Sequence, residues 1–195
     1  MEALQEERHH FVVHVDGKAH ASVTAGLEAY ATSHPSRNVH LLGDHLRRNV
    51  SWGGFEMVRA TLNGARYAHE ALRYDWLINL SGATYPLQPN EVIVARLARL
   101  PSSATSLMEV DPKPAQPMPT TWHYFVECDH RLRRIWQLGM PPGINMHTGS
   151  QWFMLGAPFV AWLLEDKKLV PLYEEYGKHT MVRSRAPSSC FARFS

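Results

Sequence analysis

Residues 51–87 decide the fold of this chain, and they read SWGGFEMVRATLNGARYAHEALRYDWLINLSGATYPL. After the turn signal Trp52-Gly53-Gly54, apolar residues recur at offsets of 4, 3, 3 and 4, which places them on one face of a helix: Val58, Leu62, Ala65, Ala68 and Leu72. The period then breaks, and the short apolar run Tyr74–Leu80 predicts a buried strand. A helix that leads into a buried strand is half of a doubly wound α/β unit. Ligands bind such sheets just outside the carboxyl ends of the strands, so we expect function first at Asn79–Pro86.

The flanking sequence predicts more alternating strands and helices. Before the central stretch, Phe11–Val15 and Val39–Leu42 are predicted strands that enclose a helix over Ala21–Thr32. This order gives a right-handed parallel crossover. After the stretch, the predicted elements are a helix with Asn90 as its N-cap, strands over Ser106–Glu109 and Gln151–Leu155, and a helix over Phe159–Leu169. The proline-rich segment 111–121 predicts an extended loop that either borders a binding groove or is solvated.

Composition excludes several classes of protein. A chain of 195 residues with 45% hydrophobic content suits one soluble domain. The net charge of +2 gives no indication of nucleic-acid binding, and the short cluster Arg131–Arg134 is interpreted as a solvated helix face. No run of 18 apolar residues is present, so we expect no membrane span, and the first residues are too charged for a signal peptide.

Cysteines and metal-ligand patterns leave some alternatives open. Cys128 and Cys190 could pair, although two free thiols are the default interpretation. No D-x-D pair occurs; Glu109-Val110-Asp111 and Glu127-Cys128-Asp129 are the nearest acidic pairs. The twelve histidines suggest a metal-dependent hydrolase as an alternative, but no H-x-x-x-H pair encloses a supporting acid.

Four blocks of sequence, in order, resemble the Core-2/I-branching enzyme and xylosyltransferase family. They are His14-Val15-Asp16, Trp52–Phe55 with the following helix, Leu80–Leu87 and Gly149–Leu155, and together they extend over residues 10–182. The resemblance implies an inverting glycosyltransferase that uses a UDP-sugar, needs no metal and transfers xylose or N-acetylglucosamine to a glycan or protein hydroxyl. It also implies a three-layer α/β/α (GT-A-like) domain with a mostly parallel sheet, here incomplete. The resemblance further implies a location on the lumenal side of the Golgi membrane through an amino-terminal anchor, and we expect no such anchor within these residues.

The same resemblance suggests roles for particular residues. It places Asp16 at the nucleoside. Ser81, Gly82 and Thr84 are expected to line the donor pocket, and Glu109 and Trp152 are expected to face the acceptor. Three of these residues, and His14 beside Asp16, have a plainer alternative from the sequence alone. Asp16 could form an Asp-Gly turn, Glu109 could be a surface carboxylate, Trp152 could be a core aromatic, and His14 could be a packed core histidine. Trp52 either borders the pocket or braces the helix start.

Two departures from the family pattern concern catalysis. The family loop usually reads L-S-x-x-D-[FY]-P, and here Thr84 stands where that candidate base is expected. A second acidic segment, expected near Val182, is also missing, since no carboxylate follows Glu175. We therefore assign no catalytic residue and expect a truncated product with impaired activity, comprising a partial transferase domain over 1–182 and a disordered tail over 183–195. The alternative is a catalytically dead module of the same family that binds sugar or regulates an active partner.

Overall fold

The computed structural model of this chain describes residues 2–110, 123–128, 131–137, 145–167, 169–179 and 190–193. The helices are α1 Ala21–Ser33, α2 Glu56–Ala71, α3 Asn90–Leu97, α4 Ala157–Glu165 and α5 Leu169–Gly177. The strands are β1 Phe11–Val13, β2 Val39–Leu41, β3 Trp76–Ile78, β4 Ser106–Val110, β5 His123–Cys128, β6 Arg131–Gln137, β7 Asn145–Gly156 and β8 Cys190–Arg193. The mixed α/β class is confirmed. The proline-rich segment 111–121 lies outside the described residues.

The first unit is a parallel crossover. Strands β1 and β2 pair in parallel with Phe11 opposite Val39 and Val13 opposite Leu41, and α1 connects them. This confirms the strand–helix–strand prediction. The carboxyl ends of both strands therefore lie at the same edge of the sheet, where the segments after Val13 and Leu41 begin.

Helix α2 covers the sheet with a face of small residues. Ala60, Ala65 and Ala68 are buried, and so is the side chain of Asn63. Because these side chains are short, neighbouring elements can approach the helix backbone closely. The Asn63 amide donates to the Leu46 carbonyl at 2.7 Å, which satisfies a buried polar group. The apolar spacing in the sequence thus predicted the correct helix.

The second sheet is built around the long strand β7. Its order is β3-β7-β4, with β8 also pairing with β7, and each of these pairs is antiparallel. Thus one described strand pair is parallel, between β1 and β2, and the other described pairs are antiparallel. The strand predicted over Tyr74–Leu80 is shorter, Trp76–Ile78, and only partly buried. It lies at the edge of the sheet, so its side chains are less enclosed than those of a central strand.

The core lies between this sheet and helices α2 and α4. Phe153 and Leu155 of β7 are buried against Ala65 of α2 and Val160 of α4, which is fully buried. Burying one such aliphatic side chain contributes about 1.5–3 kcal/mol. Trp152 and Met154 alternate with the buried residues and occupy the opposite face of β7, as the strand period predicts.

Three expectations about local structure need correction. The cluster Arg131–Arg134 lies on strand β6, not on a helix, because β6 pairs with β5 as an antiparallel hairpin; its arginines are exposed as expected. Helix α3 has Pro89 rather than Asn90 at its N-cap. The helix predicted over Phe159–Leu169 ends earlier, at Glu165 of α4, and a separate helix, α5, begins at Leu169.

The remaining expectations concern the tail, the cysteines and the membrane. Cys190–Arg193 form β8, and a domain boundary at residue 182 stays a prediction. Cys128 is exposed and unpaired, while the Cys190 side chain lies outside what the structure describes. In the part of the chain that the structure describes, no helix is both long and apolar enough to cross a bilayer.

Candidate functional site

The first part of the candidate site is the turn after β1. The Asp16 carboxylate accepts from the Lys18 backbone N–H at 2.9 Å and lies 3.2 Å from the Lys18 ammonium. Partial burial opposes ionisation, but the hydrogen bonds and the charge of Lys18 hold the pKa of Asp16 below its ordinary value. Asp16 thus forms the turn that its Asp-Gly sequence suggested. The carboxylate is ionised and only half exposed, and its contact with a nucleoside stays a prediction.

His14 has a structural contact in the same region. Its Nε2 accepts a hydrogen bond from the Arg48 backbone N–H at 3.0 Å, which requires the neutral ring. Burial lowers the pKa of His14, the nearby charge of Asp16 raises it, and the charges of Arg47 and Arg48 lower it further. His14 therefore joins β1 to the segment after β2.

The second part is the turn Trp52-Gly53-Gly54, called here the Trp52–Gly54 turn. Gly53 has a φ of 77°, a left-handed conformation that glycine adopts without strain. Ser51 is buried, whereas 67% of Trp52 is exposed. The turn therefore presents the Trp52 indole to solvent. If Trp52 braces the start of α2, it does so with its ring largely exposed.

Backbone contacts connect this turn to the Asp16 turn. The Gly17 N–H donates to the Arg48 carbonyl at 2.8 Å, and the Lys18 ammonium donates to the Val50 carbonyl, two residues before Trp52. Arg47 donates from Nη2 to the Asp16 carbonyl at 3.2 Å. The two loops thus form one surface at the carboxyl ends of β1 and β2.

The third part is the loop after β3. Asn79 fastens it to β7: its backbone N–H donates to the Phe153 carbonyl at 3.0 Å, and its side-chain amide donates to the Gln151 carbonyl at 2.8 Å. Further along, the Thr84 hydroxyl accepts from the Ser81 N–H at 3.0 Å and lies 3.1 Å from the Ser81 hydroxyl.

The predicted donor residues of this loop are all open to solvent. Ser81, Gly82 and Thr84 are exposed, and no heavy atom lies within 4 Å of a Cβ built at Gly82. The structure brings Ser81 and Thr84 together. Among the described residues, no hydrogen bond or ion pair connects this loop to Asp16.

The predicted acceptor residues lie on one face of the second sheet. In β4, Leu107 and Glu109 are exposed while the alternate residues are partly buried, and Leu107 stands opposite Met154. Trp152 is two residues before Met154 and half-buried, so it shares this face. A bulge next to Glu109 brings its carbonyl against Gly149, where an added Cβ would lie 2.5 Å from that oxygen. Glu109 and Trp152 therefore border the same surface, away from the core.

Glu127, which the sequence analysis named only as part of an acidic pair with Asp129, packs under the Trp52–Gly54 turn. Glu127 of β5 approaches so closely that a Cβ at Gly54 would lie 1.7 Å from its Oε1. Burial raises the pKa of Glu127, and the Glu56 carboxylate raises it further, while the Glu56 backbone, the Ser51 side chain and Arg59 lower it. Its Oε1 is buried and has no partner of standard hydrogen-bond geometry among the described residues. The signal in the sequence was a glutamate directly after the apolar residues Phe125 and Val126.

The described residues contain no group of three or more His, Cys, Asp or Glu side chains that could hold a metal ion. The residues that the resemblance suggested carry hydroxyl, carboxylate and aromatic groups, which can bind a sugar or a nucleotide through hydrogen bonds and stacking.

Comparison with known proteins decides the family. The family model described as Core-2/I-Branching enzyme matches residues 1–188. The chain belongs to the Core-2/I-branching enzyme family. Because the match extends over the three loops described above, each of them is part of the Core-2/I-branching domain.

Curated relatives agree with this assignment. Human xylosyltransferase 2 is 28% identical over 194 residues, and the match covers 93% of this chain and 21% of that protein. Mouse xylosyltransferase 1 is 26% identical over 189 residues, covering 92% of this chain and 19% of that protein. The chain thus spans about a fifth of the length of these curated relatives.

Proposed function

We propose that this chain is part of an inverting glycosyltransferase that transfers a sugar from a UDP-sugar to a hydroxyl group on a protein or glycan. The observation that carries the proposal is membership of the Core-2/I-branching family over residues 1–188. Xylose is favoured over N-acetylglucosamine as the transferred sugar, since the similar proteins named above are xylosyltransferases.

The donor is proposed to bind along the loops at the carboxyl ends of the strands. Asp16, as an ionised acceptor, suits the hydroxyl or N–H donors of a nucleoside. Ser81, Gly82 and Thr84 are proposed to line the sugar side, where Gly82 leaves open space for a ring. The Lys18 ammonium and the Arg47 guanidinium both contact Asp16, and positive charge there favours a diphosphate.

The acceptor is proposed to bind the outer face of the second sheet. Glu109 can accept hydrogen bonds from sugar or side-chain hydroxyls, and Trp152 offers an aromatic surface for an apolar sugar face. Their common position on one face of the sheet supports this role.

The proposed reaction is a single displacement without a metal. A base must remove the proton of the acceptor hydroxyl as the sugar is transferred, and the leaving diphosphate must be held by positive groups. Thr84 cannot supply the base, because a hydroxyl of such high pKa stays protonated, so the described residues leave that role unassigned. By analogy with the family, we also propose a lumenal Golgi location.

A non-catalytic module is the second candidate. The observation that favours it is the hydroxyl at Thr84, which is engaged with Ser81 and stands where the family has a carboxylate. Such a module would bind the nucleotide or the acceptor without transferring sugar.

The deciding experiment is calorimetric titration of the purified chain with UDP, UDP-xylose and UDP-N-acetylglucosamine, with and without EDTA. We expect the affinity for UDP to be the same with and without EDTA, and we expect the same of the affinity for UDP-xylose. A parallel assay for xylose transfer to a serine-containing peptide separates the enzyme from the binding module. Absence of nucleotide binding by the folded chain would refute both the transferase and the donor site.

A further inference from the structure

We propose that Glu127 is a positioning residue for the donor site, because its carboxyl group fixes the Trp52–Gly54 turn and so presents the Trp52 indole to the nucleotide. The inference rests on the transferase function proposed above. It assigns a role to a residue on β5 for which the family resemblance suggested none.

The first argument is the steric contact between Glu127 and Gly54. A Cβ at position 54 would lie 1.7 Å from Glu127 Oε1 and 2.4 Å from its Cδ. Real Cβ atoms do not approach other atoms so closely, so the carboxyl group occupies the space that a Cβ at position 54 would need. A larger residue at position 54 would therefore displace the Glu127 side chain from the turn.

The second argument is the missing cap of α2. The first turn of a helix has backbone N–H groups without partners in the helix. Phe55 is the N-cap, and its side chain supplies no acceptor. The Glu127 carboxyl group, from strand β5, lies near this helix start, because the Glu56 backbone and the Ser51 side chain both lower its pKa. The carboxyl group is thus close to the residues on either side of the Trp52–Gly54 turn.

The third argument is that ion pairs fasten the first turn of α2, which directly follows the Trp52–Gly54 turn. Glu56 forms ion pairs with Arg59 and, at 3.9 Å, with Arg48. Arg59 also lies 3.8 Å from Glu174 of α5 and stacks over the Phe55 ring at 5.2 Å. The turn is therefore bounded by α5, by β5 and, through Arg48, by the Asp16 turn.

The fourth argument is the exposure of Trp52. Large aromatic residues are usually buried, but 67% of this one is open to solvent while Ser51 and Phe55 beside it are buried. A rigidly held, exposed indole is suited to stack on a ring, and such stacking of a base on an aromatic residue contributes about 1–3 kcal/mol.

The test combines UDP titration with the fluorescence of Trp52. The variants are Glu127→Ala, Glu127→Gln and the control Glu70→Ala, which removes an exposed glutamate from the other end of α2. We expect Glu127→Ala to weaken UDP binding about tenfold and to alter quenching of Trp52 by iodide, identified by subtraction of a Trp52→Phe protein. Glu127→Gln keeps an acceptor oxygen, so its affinity is expected to stay within about twofold of the parent. A glutamate with a purely structural role would change the melting temperature when replaced, but Glu127→Ala and Glu127→Gln would then not differ in their affinity for UDP.

A double-mutant cycle tests the contact itself. Gly54→Ala alone is expected to weaken UDP binding and alter the Trp52 signal, because its Cβ collides with Glu127. With Glu127→Ala present, Gly54→Ala is expected to have little further effect, which would measure coupling between the two positions. Additive effects would overturn the inference.

The outcomes separate this inference from the proposed function. If the parent chain binds UDP and Glu127→Ala binds it equally well, the positioning role is wrong and the transferase proposal stands. If the parent binds no UDP, the transferase proposal fails, and an additive cycle in Trp52 quenching would overturn the role of Glu127 as well.

Discussion

The Thr84 hydroxyl accepts a hydrogen bond from the Ser81 backbone N–H at 3.0 Å, and this bond closes the loop that follows β3. A carboxylate at position 84 could make the same bond, since it is also an acceptor on a short side chain. The threonine therefore closes the loop without the charge that the family resemblance leads us to expect at this position.

Replacement of Thr84 separates these two effects. We expect Thr84→Ala to lower the free energy of unfolding by about 0.5–1 kcal/mol, because the Ser81 N–H loses its partner in an exposed loop. Thr84→Asp should keep the stability and, if the proposed transferase uses this position as its base, raise xylose transfer by about tenfold or more. Urea unfolding and a transfer assay measure the two results. A Thr84→Asp protein that transfers no faster than the parent would remove this position from the chemistry.

Asn79 is expected to be more important for stability than its exposed neighbours. Asn79→Ala leaves the Gln151 carbonyl of β7 without its 2.8 Å donor, which we expect to cost about 1–3 kcal/mol in urea unfolding. Gln88→Ala, in the same loop but exposed, serves as the control and should change stability by less than about 0.5 kcal/mol. Equal effects of the two substitutions would contradict the anchoring role of Asn79.

Replacing each of two glycines by alanine should change the stability of the chain in opposite directions. At Gly149 an added Cβ would lie 2.5 Å from the Glu109 carbonyl, so Gly149→Ala should destabilise the chain by about 1–3 kcal/mol. At Gly26 in α1 nothing lies within 4 Å, so Gly26→Ala should stabilise the chain by about 0.5–1 kcal/mol through helix propensity. Thermal unfolding of both variants gives the comparison, and destabilisation by Gly26→Ala would show that the α1 surface is occupied.

The core predicts a contrast between two valines. Val160 is fully buried between α4 and β7, and Val160→Ala should cost about 1–3 kcal/mol by loss of apolar contact and formation of a cavity. Val23 on α1 is 48% exposed, and Val23→Ala should change stability by less than about 0.5 kcal/mol. Guanidinium unfolding measures the free energy of unfolding of both variants, and we expect the m-values to be unchanged. Similar losses of stability in Val160→Ala and Val23→Ala would indicate that the core lies elsewhere.

The pH dependence of stability should include a contribution from His14. Burial lowers the pKa of His14 in the folded state, so the unfolded chain binds a proton first as the pH falls through the ordinary value of 6.5. The stabilisation is therefore present above that pH and lost below it. His14→Gln keeps an acceptor for the Arg48 N–H and should reduce the slope of melting temperature between about pH 7.5 and 5.5. His40, whose pKa burial also lowers, should keep part of the slope, whereas Glu127, with a raised pKa, acts in the opposite direction. An unchanged slope in His14→Gln would contradict this assignment.

The sequence by itself determined the local elements and the family. Helix α2, the crossover from β1 to β2 and the alternation of Trp152 with Phe153 all follow from periods of 3.6 and 2, because these patterns depend only on neighbours along the chain. The sequence blocks around Asp16, Trp52, Ser81 and Gly149 indicated the family that the comparison confirmed. The carboxyl-end loops were likewise predicted as candidate sites.

Only the tertiary structure decided which residues from distant segments meet. The antiparallel pairing around β7, the strand at Arg131–Arg134 and the edge position of β3 depend on partners far away in sequence. The contact of Glu127 with Gly54 joins residues that no local period relates, and it is possible because Gly54 has no Cβ in the space that the carboxyl group occupies. Local chemistry therefore fixes elements and motifs, whereas long-range packing decides which motif residues contact one another.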